Sequence, residues 1–396
     1  MRSRRIVLPV VCVALMLGLL AGCENQKTIK QQGKAQWSRA RANVLYGLAK
    51  DQYATGNFDP ARKTVDEALR IDPEHEPLRV LSAKLAIENG SLEFADKELS
   101  IARKLNPKDP EADYLSGVVQ QRWQKPEQAL DYYTSASTKD PNELAYVLAR
   151  SEMLVSAGRQ DEALRLLQEK VVFFENSAVI RDAVGQLLMQ QHKYTEASDM
   201  LRQASILGTG DPTITEHLAI ALYFAGKYSE AIEPLQKLLK QDGYAKRADI
   251  LLVLGRCQLE LGKAREARAT FEKAAQLDES NAAVYLSLAR TAMQLNDYRR
   301  AETSLKRAQA LDPENSEVRL MVGYLRLKQN RLDEALASFQ RASTLDSRDT
   351  VSLCMIGYTL KQLGRNEEAA KYYAKALKIK PGDDMAKRLM ATVPLH

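Results

Sequence analysis

The chain is poor in the side chains that metal and redox chemistry need, with four Cys and four His in 396 residues. Both a disulfide scaffold and a structural zinc site call for more Cys or for His and Cys in clusters. His75, His192, His217 and His396 lie far apart, and none has a second His or a Cys at ligand spacing. They read as surface or helix-end histidines, and no metal or other cofactor is expected. Aromatic residues make up only 6% of a chain that is 45% hydrophobic and 27% charged, which excludes both a disordered chain and a multi-span membrane protein. The basic surplus, 57 against 51, is too small for the electrostatic footprint of a nucleic-acid binder. No Gly-rich phosphate loop, nucleophile elbow or HExxH is present, and no pair of acids stands out as an acid/base couple, so neither catalysis nor a small-molecule substrate is indicated. Sustained period-two alternation is also missing, so no sheet is expected.

What is present begins with an address. Arg2, Arg4 and Arg5 precede an apolar run over 6–20, which is shorter than the roughly 20 residues of a membrane span. A basic start, a short apolar core and small residues after it read as a secretory signal over 1–22. Leu20-Ala21-Gly22-Cys23 resembles the lipobox of bacterial lipoproteins, which implies that Cys23 becomes the lipid-bearing first residue of the mature chain. Two or more acyl chains attach a protein stably, whereas one does so only marginally. The polar stretch 23–33 then reads as a lipid-anchored linker. Glu24, by family precedent, avoids the best-known inner-membrane retention signal, which favours the outer membrane, facing the periplasm, over the inner.

The rest of the chain is one unit repeated. Ala61, Ala95, Ala129, Ala163, Ala197 and Ala231 recur every 34 residues, and Ala267, Ala301, Ala335 and Ala369 resume that spacing after one step of 36. Twelve residues before each stands a small residue, from Ala49 and Ala83 to Gly323 and Gly357. Four after each stands a larger one, such as Val65, Leu99, Phe271 or Tyr373. Seven after, the residue is Ala except at Lys170 and Leu238. Gly56, Gly90, Gly158, Gly226, Gly262 and Gly364, with Asn296 and Asn330 at equivalent places, mark the ends of first helices where a left-handed residue is wanted. Pro73, Pro107, Pro141, Pro313 and Pro381 stop second helices.

This pattern, plainest from Gly357 through Ala369, Tyr373 and Ala376 to Pro381, resembles the tetratricopeptide repeat, a 34-residue helix–turn–helix. The resemblance implies an all-α, right-handed α-solenoid of about ten repeats over 34–383, with a capping helix and tail over 384–396. Departures occur at Lys170 to Ser177, where alanine and proline are missing, at Gly208, Gly210 and Pro212, and at the two-residue insertion near Gln241–Tyr244. The last two allow a flexure within 207–247, or simply longer turns. Cys257 and Cys354 fall three repeats apart, too far for a disulfide, and read as buried thiols.

The resemblance also implies that first helices line a concave face, with ligand contacts at repeat positions 2, 5, 9, 12 and 13. Two patches follow. One comprises Tyr46, Lys50, Tyr53, Lys84, Tyr114 and Arg122. The other comprises Arg256, Arg290, Tyr324 and Tyr358, with Lys328 and Lys361 one turn further on and Tyr223 and Phe224 between the patches. Cations followed by aromatics suit an acidic or C-terminal peptide segment, although the tyrosines could equally be packing and the cations solvated. The expected function is a membrane-tethered protein-binding scaffold in a bacterial envelope. Its layout is similar to that of lipoproteins that assemble tight-adherence or type IV pili and secretion pores. The alternatives are a scaffold for polysaccharide synthesis or export and a holding chaperone for secreted proteins.

Overall fold

The structure, a computed structural model, describes residues 32–393. The expected signal and Cys23 lie outside the described residues, as does His396. Of the expected linker, Gln32 and Gly33 are already helical, because the first helix runs over 32–54. Among the described residues there are twenty-one helices and no strand.

Contacts divide the chain into two compact units, one ending at Glu175 and one starting at Asn176. The first holds four helix pairs, from 32–54 with Phe58–Ile71 to Leu144–Ser156 with Gln160–Val171. The second holds six pairs, from Ala178–Gln190 with Tyr194–Leu207 to Thr350–Gln362 with Asn366–Ile379, and then a single helix, Asp384–Ala391. The stretch 207–247 lies inside the second unit.

Within a pair the two helices cross closely because the residues at the crossing are small. All ten alanines of the 34-residue register are fully buried, and the residues twelve before them are buried as well. The larger residue four after each alanine fills the remaining volume: Tyr133, Phe271, Phe339 and Tyr373 are the bulkiest fully buried side chains. Each first helix of a unit also packs on the second helix before it, and neighbouring first helices touch. The first helices of a unit therefore form one continuous face.

The turn inside each pair is the same ten times. Gly56, Gly90, Gly158, Gly226, Gly262 and Gly364 have positive φ, as do Asn296 and Asn330, and the two remaining equivalents are Gln124 and His192. Between several pairs the residue after a second helix is extended, as at Asp72 (φ −134°) and Asp312 (φ −137°), which a following proline favours. Asp109, Asp211 and Asp349 then cap the next first helices by accepting backbone N–H groups. Cys257 and Cys354 are buried free thiols.

Where repeat signals are missing, polar staples stand in. The helix Tyr228–Leu238 is short and contains Pro234. After it, Arg247 reaches back to Glu216 (2.7 Å) and forward to Asp249 (2.5 Å), with the Tyr244 ring 5.2 Å from its guanidinium.

Candidate peptide-binding surface

In the first unit, Tyr46, Lys50 and Tyr53 lie about a turn apart on the helix 32–54, and Lys84 faces them from Glu76–Glu88. These four line one pocket of about 420 Å³ with Pro77, Val80 and Leu81. Three acids share it: Glu76, Asp109 and Glu111. They are there for local reasons. Asp109 caps the helix Pro110–Arg122 by accepting the N–H groups of Glu111 and Ala112. Glu76 and Glu111 occupy first helical turns, where negative charge complements the helix dipole.

The acids change what the pocket can hold. Lys84 is tied to Glu111 at 2.6 Å. Burial pushes the Glu76 carboxyl up to about 7, and a hydrogen bond with Asp109 and the charges of Asp109 and Glu111 add to this. The Glu76 carboxyl therefore takes up a proton more readily than a free carboxylate. Burial, followed by the Glu111 charge, raises the Tyr46 phenol. Burial and then Glu88 raise Tyr53, and burial followed by Glu111 takes Tyr146 up to about 12. The surface thus sets tyrosines and two lysines beside three acids.

The other two residues of this patch serve the fold. The Tyr114 ring packs between Tyr133 (5.6 Å) and Tyr146 (5.0 Å). Arg122 donates to the Ile87 carbonyl at 2.8 Å, satisfying an acceptor at the end of the previous first helix.

The second unit shows a similar division. Arg290 is paired with Glu317, twenty-seven residues on, the spacing that also separates Lys84 from Glu111. Tyr324 meets Phe339 edge-on at 5.5 Å, and Tyr324 and Tyr358 pack on one core cluster. Among the described residues, Lys50, Arg256, Lys328 and Lys361 have no ion-pair or hydrogen-bond partner. Of these, Lys328 is exposed, while Arg256 and Lys361 are half-buried. Tyr223 and Phe224 belong to an aromatic group in which Phe224 stacks on Tyr194 at 5.1 Å.

Residues missed at the sequence level are the acids. Besides Glu76, Asp109 and Glu111, the second unit brings Asp182 within 2.7 Å of His217, and this hydrogen bond raises the imidazole pKa. Glu111 and Glu317 stand at repeat position 2, and Asp182 and Glu216 at position 5. The signal was therefore available, but these acids read as solvated helix charges.

Stacked helix pairs with a continuous face of first helices are the solenoid fold of tetratricopeptide repeats. Residues 207–395, a little under half of the chain, match the family described as cilia and flagella-associated protein 70 C-terminal domain. The chain is 24% identical over 246 residues to TPR repeat-containing protein YpiA of Bacillus subtilis (strain 168), covering 60% of this chain and 56% of that protein. It is 28% identical over 217 residues to cellulose synthase operon protein C of Pseudomonas fluorescens (strain SBW25), covering 51% of this chain and 16% of that protein. The matches thus span about half of one curated relative and a small part of the other. Among solved structures, the Cut9-Hcn1 hetero-tetramer of the APC/C shares the fold, with a TM-score of 0.50 at 16% identity over 89% of this chain and 76% of that one. Yeast Tom70 aligns with a TM-score of 0.49 at 16% identity over 90% and 88%. These matches indicate no catalytic family.

Proposed function

We propose that the chain is a scaffold held at a bacterial envelope membrane through lipid on Cys23, capturing an extended polypeptide segment on the face of its first helices. One observation carries the reading: Tyr46, Lys50, Tyr53 and Lys84 meet in a single pocket with the acids Glu76, Asp109 and Glu111. Tyrosine faces hold an extended backbone with little entropy loss, and the carboxyl pair receives a donor such as a Lys, an Arg or an amino terminus. In the second unit the unpartnered Arg256, Lys328 and Lys361 suit an acidic stretch instead. Tethering raises the effective concentration of scaffold and partner at one surface. Assembly of a pilus or secretion apparatus fits this layout. The likeness to part of a cellulose synthase operon protein favours a second reading, service in polysaccharide synthesis or export.

Crosslinking from native membranes, with the full chain as bait, tests the proposal. The wild type should recover one stoichiometric partner, and Tyr46→Ala with Tyr53→Ala should cut recovery about tenfold or more, the loss expected of two anchor aromatics, at unchanged helical content. Recovery of many non-native clients would point to a holding chaperone, and unchanged recovery would remove this pocket from the binding surface. Cys23→Ser should move the chain out of the membrane fraction, and the partner's identity separates pilus from polysaccharide.

A further inference from the structure

The first helix is unlike the first helices of the other repeats. Those span 13 residues each, whereas this one runs over 32–54 and extends well ahead of Ala42, where the repeat register would start it. Ala42 and Ala49 are fully buried on its inner side. Opposite them, Trp37, Arg41, Val44 and Leu48 fall at three- and four-residue steps, on one stripe of the helix. Trp37 is 62% exposed, Val44 73% and Leu48 50%. The residues in the same register one repeat later, Leu78 and Ser82, are buried. The stripe is thus the stacking face of a repeat, uncovered among the described residues.

Charge and position together select what covers it. Between Glu24 and Asp51 the sequence holds Lys27, Lys30, Lys34, Arg39, Arg41 and Lys50 and no acid, in a chain with 51 acids among its 396 residues. The Arg41 guanidinium lies 5.6 Å from the Trp37 ring, so cation and aromatic share the stripe. Cys23 precedes this helix by only nine residues, a reach of about 30 Å at full extension. An apolar stripe carrying a tryptophan and flanked by cations has the composition of a helix lying in a bilayer interface. There Trp sits at headgroup level and each cation near an anionic surface adds attraction.

We propose that the stripe Trp37–Arg41–Val44–Leu48 lies on an anionic lipid surface, making the first helix a second membrane contact. The placement rests on the lipid-anchor reading of Cys23, but the contact itself can be measured without the lipid. The chain from residue 23 to 396 with Cys23→Ser contains every helix and buried cluster of the described residues. With Trp123→Phe, Trp37 becomes the sole tryptophan of the two in the sequence. This protein should co-sediment with phosphatidylglycerol-containing vesicles and show a blue shift of Trp37 emission, weakened by salt, and should ignore pure phosphatidylcholine. Lys34→Gln and Arg39→Gln should each weaken binding about fivefold. Leu48→Asp, at an exposed position, should abolish the blue shift without changing thermal melting. Equal behaviour toward the two vesicle types, or no blue shift with either, overturns the proposal. So does a dimer in sedimentation equilibrium that Leu48→Asp dissolves, since a second copy would then own the stripe. Release from cell membranes, by Cys23→Ser, of the full-length chain that already carries Leu48→Asp decides the anchor separately.

Discussion

At the residue scale, bulk is exchanged across eight of the ten helix pairs. Tyr133, Phe271, Phe339 and Tyr373 stand sixteen residues after Gly117, Gly255, Gly323 and Gly357, whereas Ala49, Ala83, Ala219 and Ala289 stand opposite Val65, Leu99, Leu235 and Leu305. A Cβ added at Gly255 would lie 2.4 Å from Phe271 Cε1, inside any tolerable contact. Gly255→Ala should therefore destabilise by about 1–3 kcal/mol, the range for overpacking, although alanine is the better helix former by about 1 kcal/mol. Adding Phe271→Leu should recover much of the loss, and urea unfolding of the two single variants and the double variant checks this. Additive losses would mean that the two side chains do not compete for one volume. The sequence displays the small and large positions separately, but their pairing becomes visible only once the helices cross. The left-handed turn is legible at eight repeats through Gly and Asn. At Gln124 and His192 it is not, because both residues are common in helices and neither marks a turn as Gly or Asn does.

At the element scale, the N-terminal turns of the first helices shape the electrostatics of the face those helices form. Several gather acids there, as caps or against the helix dipole, and stacking brings some of those acids against cations of the first helix before, as with Glu111 and Lys84 or Glu317 and Arg290. Seven cations were legible as candidates from single-helix positions. Three of them, Lys84, Arg122 and Arg290, turn out to bind neighbouring repeats, because the partner atom lies about a repeat away and no local pattern announces it. The Glu76 carboxyl gives this junction a pH dependence. Its pKa is raised from 4.5 to about 7 on folding, so between those values the folded state binds more protons than the unfolded. Stability should fall as pH climbs through that window and level off above it. Glu76→Gln should flatten the slope and leave the variant more stable than wild type at pH 8. Melting temperatures of both proteins from pH 4.5 to 8 provide the check, and parallel curves would assign the slope to other groups.

At the scale of the whole molecule, length alone suggests two or three domains, and the repeat register replaces them with one architecture in two compact units. The boundary after Glu175 coincides with the stretch from Lys170 to Ser177, where the repeat signals are missing. Phe173 is 70% exposed there, in a turn, whereas the exposed Phe94 and Phe224 lie within helices. Chymotrypsin should thus cut first after Phe173 and leave two lasting fragments, and Phe173→Ser should slow that cut about tenfold or more. First cleavage elsewhere, read by mass spectrometry, would show a weaker point in the chain. Net charge also changes meaning at this scale, because three of the six formal positive charges are Arg2, Arg4 and Arg5. A chain without its leader would be close to neutral overall while carrying one strongly basic segment.

Both members of each steric match, Gly255 with Phe271 as much as Ala83 with Leu99, belong to the same 34-residue stretch. A copy of that stretch inserted elsewhere brings its own lock with it and asks no compensating change of its new neighbours. Lineages can therefore lengthen or shorten such an array by whole units in a single genetic event, while a change at either half of the lock must wait for the other.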